Sequence, residues 1–481
     1  MMFFSGLLFV ISIGLIVISQ NFVQLFTGRL LQGMSGGVIA VVVPLYLAET
    51  LKPDLRGRGT AIFQFMLTFG IVTASLIGYY YTHHAEIAIA QAAGHPAQIL
   101  AAENHAWRSM FLAIVYPGIL FFGGSIFLGE SPRWLFRRGR VDQALRALKK
   151  STSAEEAERE LAEMQALAAE QKAGSGSQES GSLLRRKYVI PFLLACAILS
   201  LNTATGINSV LSFIVVILKK AGLTPTLATQ GDIVVTVLNC VMTLVAVALV
   251  DRKGRKFLLK VGTAGIVVSL AAGAAIFLHF ESQQVNVKAR VAAAQSGNRI
   301  TLPVNVAALG VAPSGHAMAL TVLYRYGSGE HITTVVTSTP HPELQIAPGE
   351  GEAHKPLTVV LANYGPVPPE STGWLIALCL GAFISFYAAG PGVVVWLALS
   401  ELMPTRIRST GMGIALLLNQ GVSTLMAYAF LPIVGHYGYY AMFLIWAGCA
   451  ALYFLTATLF MPETRGKTLE EIEMHFEGAR G

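Results

Sequence analysis

A bilayer's hydrocarbon core takes about 20 apolar residues of helix to cross, and this sequence contains ten such runs. They lie at about 2–20, 23–48, 59–82, 107–128, 188–218, 228–250, 257–280, 373–400, 409–434 and 438–461. Only helices and closed barrels satisfy every backbone polar group inside lipid. Runs of this length select helices. The balance of residues agrees: 13% are charged and 54% hydrophobic, against about 25% charged in soluble domains. The net charge of +7 would suggest nucleic acid in a soluble chain. Here the basic residues fall in alternate short loops, as they do when charge sets orientation in a membrane.

Lys52, Arg56 and Arg58 occupy one such loop; Arg185, Arg186 and Lys187 end another. Arg252, Lys253, Arg255 and Lys256 fill the next, Arg406 and Arg408 the one after, and Arg465 and Lys467 the tail. All fall on one side, so that side and both termini are expected to be cytoplasmic. Lys219 and Lys220 sit on the opposite side, against the trend. The first 20 residues lack a basic leader segment and a cleavage site, so they read as a membrane helix.

Two segments stand apart from the membrane. Residues 129–187 carry charge of both signs and a helical stretch before a Gly/Ser-rich linker, and read as short cytoplasmic helices. In residues 281–372, ITLPVNVAALG, MALTVLYRY, HITTVVTS and LTVVLANYG are β-rich runs separated by Gly, Pro and Ser. They read as a small extracytoplasmic β-rich insert, with a disordered loop as the alternative. Cys196, Cys240, Cys379 and Cys449 lie singly in apolar runs and imply neither metal nor disulfide. His83, His84 and His105 share one loop region, where a solvated loop is favoured over a metal site. No phosphate-binding loop, nucleophile elbow or HExxH motif is present, so neither an enzyme nor a cofactor is expected.

Seven motifs occur in order along the chain. They are GRLLQGMSGGVIAVVVPLYLAE with the following Arg56-Gly57, WRSMF (107–111), ESPRWL (130–135) and TGIN (205–208). Then come DRKGRK (251–256), GPGVVVWLALSELMPTRIR (390–408) and PETRGKTLEEIE (462–473). Together they resemble the signatures of the sugar porters, a family of the major facilitator superfamily. The resemblance implies an all-α integral membrane protein, a major facilitator bundle with about ten of the family's usual twelve helices in two halves. The first run then matches the family's third helix, and the first two helices have no counterpart. A mis-called start codon or a truncated gene is the preferred explanation, ahead of a working ten-helix protein. The division expected is an incomplete N-terminal half (1–128), a cytoplasmic linker (129–187), and the first part of the C-terminal half (188–280). The insert (281–372), the rest of that half (373–462) and a cytoplasmic tail (463–481) complete it.

The resemblance also implies function: secondary transport of a sugar or related polyol by alternating access, with proton-coupled symport expected. The expected setting is the inner (plasma) membrane, multi-pass, as a monomer in the lipid bilayer with no nucleic-acid partner. Transport of another small solute is one alternative, and a non-transporting sensor or inactive truncated relative is the other. By position, Gln64, Asn208, Asn239, Trp396 and Asn419 match the family's substrate-site residues. Asn202 and Thr203 replace its paired glutamines, and Gln420 replaces a tryptophan. Amides and hydroxyls suit a neutral polyol because they both donate and accept. The shorter side chains reshape the pocket, so glucose or xylose in particular is not expected. Arg29 matches the arginine that pairs with a proton-carrying carboxylate on the family's first helix, which this chain lacks. Glu49, Arg56, Glu130, Arg133, Asp251, Arg255, Glu401 and Arg408 match the cytoplasmic salt bridges that hold one conformation and break in the other.

Overall fold

The computed structural model describes residues 1–50, 53–92, 95–150, 153–174, 186–311, 317–327, 329–337, 342–348, 354–402 and 408–462. The chain forms two compact units, 1–183 and 184–481, each considered by itself.

The first unit runs α1 (Met2–Val17), α2 (Phe22–Thr50), α3 (Pro53–Gln91), α4 (Pro96–Ala113) and α5 (Val115–Phe127). Three short helices follow: α6 (Pro132–Arg137), α7 (Val141–Leu148) and α8 (Ala154–Gly174). Small residues let α1 and α2 approach closely: the buried Ser35 Oγ donates to the Ser5 carbonyl at 2.7 Å. Arg108 donates to the Ser19 carbonyl just past the end of α1 at 2.8 Å, a cation at the negative end of a helix. The ESPRW motif starts α6 because Ser131 Oγ accepts from the Trp134 amide at 3.1 Å and Pro132 sits in the first turn. Leu148, Ala157 and Leu161 then form a small core joining α7 to α8. Nearby, the hydrogen bond and charge of Lys149 hold the exposed Glu158 carboxyl below the usual carboxylate range.

The second unit begins with α9 (Arg186–Ala204), α10 (Ile207–Lys220), α11 (Pro225–Lys253) and α12 (Arg255–Glu281), and closes with α15 (Glu370–Ala389), α16 (Pro391–Leu402), α17 (Arg408–Tyr437) and α18 (Tyr439–Leu459). Between them lies the insert: β1 (Val285–Asn286), α13 (Lys288–Ala293), β2 (Gln295–Ser296), β3 (Arg299–Pro303), α14 (Val306–Leu309), β4 (Met318–Tyr326), β5 (Gly329–Val336), β6 (Glu343–Ile346) and β7 (Leu357–Pro366). Its four-stranded antiparallel sheet has the order β1-β7-β4-β5, and its three-stranded one β2-β3-β6. Leu320, Val322, Tyr326, Val359 and Tyr364 belong to a core of the insert's own.

Three expected single spans are divided. The run at 188–218 breaks between α9 and α10, where Gly206 has φ +85°. The run at 373–400 breaks at Gly390 before Pro391, and that at 107–128 at Ile114. Proline lacks the amide that would continue the helix ladder, and a left-handed residue turns the chain out of a right-handed helix. Among the described residues, nine helical stretches are long and apolar enough to cross a bilayer, and α1, at 16 residues, is a shorter apolar helix. Their outer faces are apolar: Phe127 is 90% exposed and Leu417 73%. Water would penalise such a surface and lipid accepts it. The fold is an all-α membrane bundle with a small β-rich insert, as the sequence implied.

The core of the second unit is aromatic. The Phe430 ring stacks on Phe213 at 4.3 Å and on the fully buried Trp446 at 5.9 Å. Glu281, the last residue of α12, caps α18: its carboxylate accepts from the Tyr439 and Tyr440 amides at 2.8 and 3.1 Å. A helix N-terminus has orphan amides and a positive dipole end, and a carboxylate answers both. Glu281→Ala is expected to lower stability by about 1–2 kcal/mol, read from denaturant unfolding in detergent. An unchanged midpoint would show that water satisfies those amides equally well.

Candidate functional site

Four of the residues singled out in the sequence come together in the second unit. Asn202 and Thr203 lie on the last turn of α9, just before the break at Gly206, and Asn208 just after it. The break itself is bonded locally, with Thr205 Oγ1 donating to the Asn202 carbonyl at 2.6 Å. On α17, Asn419 and Ser423 are four residues apart and so share a face. Thr203 Oγ1 donates to Asn419 Oδ1, and Asn208 Nδ2 donates to Ser423 Oγ at 2.9 Å. Both sides of the α9–α10 break are therefore laced to one face of α17. Asn202 Nδ2 donates to the Tyr387 hydroxyl on α15 at 3.0 Å.

Asn202, Thr203 and Asn419 are each buried, at 4%, 4% and 8% exposure, where an unpaired polar group costs roughly 1–3 kcal/mol. Even so, Asn202 Oδ1 is buried without a hydrogen-bond partner, as are Trp446 Nε1 and the Tyr453 hydroxyl. The cluster thus combines satisfied interhelical bonds with unused donor and acceptor capacity, which is the chemistry a hydroxylated solute requires.

The other expected site residues are placed differently. Asn239 is buried on α11, and its backbone carbonyl accepts from Thr243 at 2.8 Å. Gln420 is exposed, since the next residue along a helix is turned well away from Asn419. The side chains of Gln64 and Trp396 lie outside the described residues. Tyr387, Ser423, Trp446 and Tyr453 were missed. Ser423 was discoverable as the fourth residue after Asn419, whereas nothing in the sequence pairs Asn202 with Tyr387, 185 residues away.

Arg29, expected to lack a partner, has two neighbours in the first unit. Nη1 donates to Gln32 Oε1 at 2.8 Å, and the guanidinium lies 5.5 Å from the Phe111 ring centre. Of the eight residues expected at the gate, the side chains of Glu49, Arg56, Arg133, Asp251, Glu401 and Arg408 lie outside the described residues. Glu130 lies 3.9 Å from Arg140 in an exposed pair, an arrangement worth at most about 1 kcal/mol. Arg255 is half-buried at the start of α12. His84 and His105 line one small cleft with Tyr80 and Tyr81, and His84 Nδ1 bonds the Tyr80 carbonyl at 2.8 Å. Among the described residues, no group of three or more metal-ligating side chains gathers there or elsewhere.

A bundle of apolar helices with a largely buried amide and hydroxyl cluster beside a broken span is the architecture of a membrane transporter. Comparison with known proteins makes the class specific. The sequence model of the family described as "Sugar (and other) transporter" matches residues 1–302 and 357–476, and the chain belongs to that family. The gap in the match falls on the insert. The "Probable metabolite transport protein CsbC" of Bacillus subtilis is 26% identical over 472 residues, covering 98% of this chain and 78% of that protein. The human "Proton myo-inositol cotransporter" is 27% identical over 500 residues, covering 98% and 70%. The solved structure of the major facilitator proton:xylose symporter XylE superposes with a TM-score of 0.62 at 20% identity, covering 99% of this chain and 82% of that one. That likeness establishes the major facilitator fold.

Proposed function

We propose that the protein carries a sugar or a related polyol across the plasma membrane by alternating access, coupled to protons. The amide and hydroxyl cluster of Asn202, Thr203, Asn208 and Asn419 supports this reading most strongly. Asn202, Thr203 and Asn419 offer donors and acceptors in a buried setting, Asn208 adds an exposed amide beside them, and none of the four carries a charge. An anionic solute would instead favour a buried cation beside them. Relatives named for myo-inositol and xylose support a compact polyhydroxylated substrate, and the same names support proton coupling. Arg29 is the residue of this chain best placed to respond to a protonatable partner, since a charge on a membrane-spanning helix is a functional candidate. The eight charged residues from Glu49 to Arg408 would form the cytoplasmic gate, with both termini on that side and the chain working as a monomer in the lipid bilayer.

Uptake of radiolabelled sugars and inositols into proteoliposomes, with and without an imposed proton gradient, tests the proposal. Concentrative uptake of at least one polyol only under the gradient is expected. Uptake to equilibrium regardless of the gradient would remove the coupling, and no uptake of any polyol would remove the substrate class.

A further inference from the structure

The insert does more than fill a loop, because the β4 side of its larger sheet touches the bundle, although Thr334 and Ile332 of β5 stay exposed. Alternation along β4 puts Leu320 and Val322 into the insert's own core and Ala319, Thr321 and Leu323 on the opposite face. The register of β4 with β5 pairs Ala319 with Val336, Thr321 with Thr334 and Leu323 with Ile332, a ladder of three rungs on that face. Each rung meets the helices. Ala319 and Val336 line a cleft with Phe277, Phe280 and Gln284 at the end of α12. Thr321 Oγ1 accepts from Lys220 Nζ at 2.9 Å and lies 3.1 Å from Thr334 Oγ1. A Cβ at Gly435 of α17 would stand 3.4 Å from Leu323 and 3.6 Å from Ile332, so α17 passes directly under the third rung. Leu323 is only 3% exposed although it lies outside the insert's core.

The helices touched differ in how they are joined to the rest of the bundle. α12 is continuous from Arg255 to Glu281 and is tied to α18 through the Glu281 cap. α10 is the half of a span cut off from α9 at Gly206, and Lys220 is its last residue. Pro432 interrupts the hydrogen-bond ladder of α17 three residues before Gly435. Lys220 also lines one cleft with Glu281, so the end of α10 lies beside the end of α12.

We propose that the insert is a latch: its three-rung face clamps the hinged end of α10 to the fixed end of α12, and α10 swings about Gly206 only when Lys220 leaves Thr321. This latch belongs to the segment of the chain that the family match skips. It deepens the transport reading, since α10 carries Asn208 and follows the turn that carries Asn202 and Thr203, but its first test does not depend on transport.

Hydrogen exchange of the full chain in nanodiscs, compared among wild type, Lys220→Met and Thr321→Val, reads the freedom of α10 directly. Both variants should exchange the amides of 207–220 about fivefold faster than wild type, with 255–281 unchanged. Unchanged α10 exchange in both variants overturns the latch, whatever the protein transports. The second test joins Lys220→Cys to Thr321→Cys with a reductant-cleavable bifunctional thiol reagent about as long as the lysine side chain. Uptake should fall at least tenfold (about 1.4 kcal/mol in barrier) and recover on reduction, whereas the reagent should leave the uptake of wild type and of each single substitution as it was before treatment. Full uptake by the cross-linked protein overturns the latch. If wild type carries no polyol, the transport reading fails and the exchange result still decides the latch.

Discussion

Gly206→Ala is expected to destabilise the protein by about 2–5 kcal/mol. Two costs combine. The residue has φ +85°, a left-handed conformation that costs an L-residue roughly 1–2 kcal/mol. The new Cβ would also fall on the Trp446 indole, and forcing a methyl into a packed core costs about 1–3 kcal/mol. Trp446 has little room to retreat, since it is fully buried, stacked on Phe430 at 5.9 Å and flanked by the tilted ring of Phe443 at 5.5 Å. Denaturant unfolding in detergent measures the loss. Trp446→Leu should cost stability alone, but in the double variant it relieves the clash, so the two costs should fall short of additivity by at least about 1 kcal/mol. A Gly206→Ala protein as stable as wild type would show that the α9–α10 break is not fixed by this glycine.

How much of this was legible in the sequence depends on the range of each interaction. Membrane spans are written locally, in the length of an apolar run, and seven of the ten runs fall on single helices while three are divided. The β-strands of the insert were legible for the same reason: the β-rich runs MALTVLYRY and HITTVVTS, bounded by Gly, Pro and Ser, match β4 and β5. The break at Gly206 was not read, because Gly is ordinary within membrane helices and composition does not reveal a positive φ. What makes that glycine obligatory is Trp446, 240 residues further along. The amide cluster was half legible. Asn202, Thr203, Asn208 and Asn419 were found by position in the family's motifs, but their hydrogen-bond partners were not. Lys219 and Lys220 were noticed only as exceptions to the charge rule. The partner that gives Lys220 its meaning, Thr321, lies in the insert, for which the family's motifs supply no guide.

Asn202→Leu is expected to reduce transport, as kcat/KM, by about 30- to 150-fold, the loss of two neutral hydrogen bonds of about 1–1.5 kcal/mol each, while stability moves by no more than about 1 kcal/mol. Leucine keeps the branching and heavy-atom count of the side chain, though it is bulkier, so α9 must repack only modestly around it. Its loss is chemical: one donor, which now serves the Tyr387 hydroxyl at 3.0 Å, and one carbonyl oxygen, which is buried without a partner. A purely structural role would have a different signature. If Asn202 only ties α9 to α15, Tyr387→Phe cuts the same tie and must reproduce the defect. If Asn202 serves the substrate, Tyr387→Phe frees its amide for a solute hydroxyl, and transport should fall less than tenfold or rise. The KM change in Asn202→Leu should also depend on the polyol. A solute that lacks the hydroxyl reached by Oδ1 loses nothing further from the substitution, whereas one that presents it loses the full factor, because a site built to pair a hydroxyl discriminates chiefly by the group left unpaired. Equal losses in Asn202→Leu and Tyr387→Phe, the same for every polyol tested, would assign the residue to the scaffold and move the substrate contact to Asn208 and Asn419 on the other side of the break.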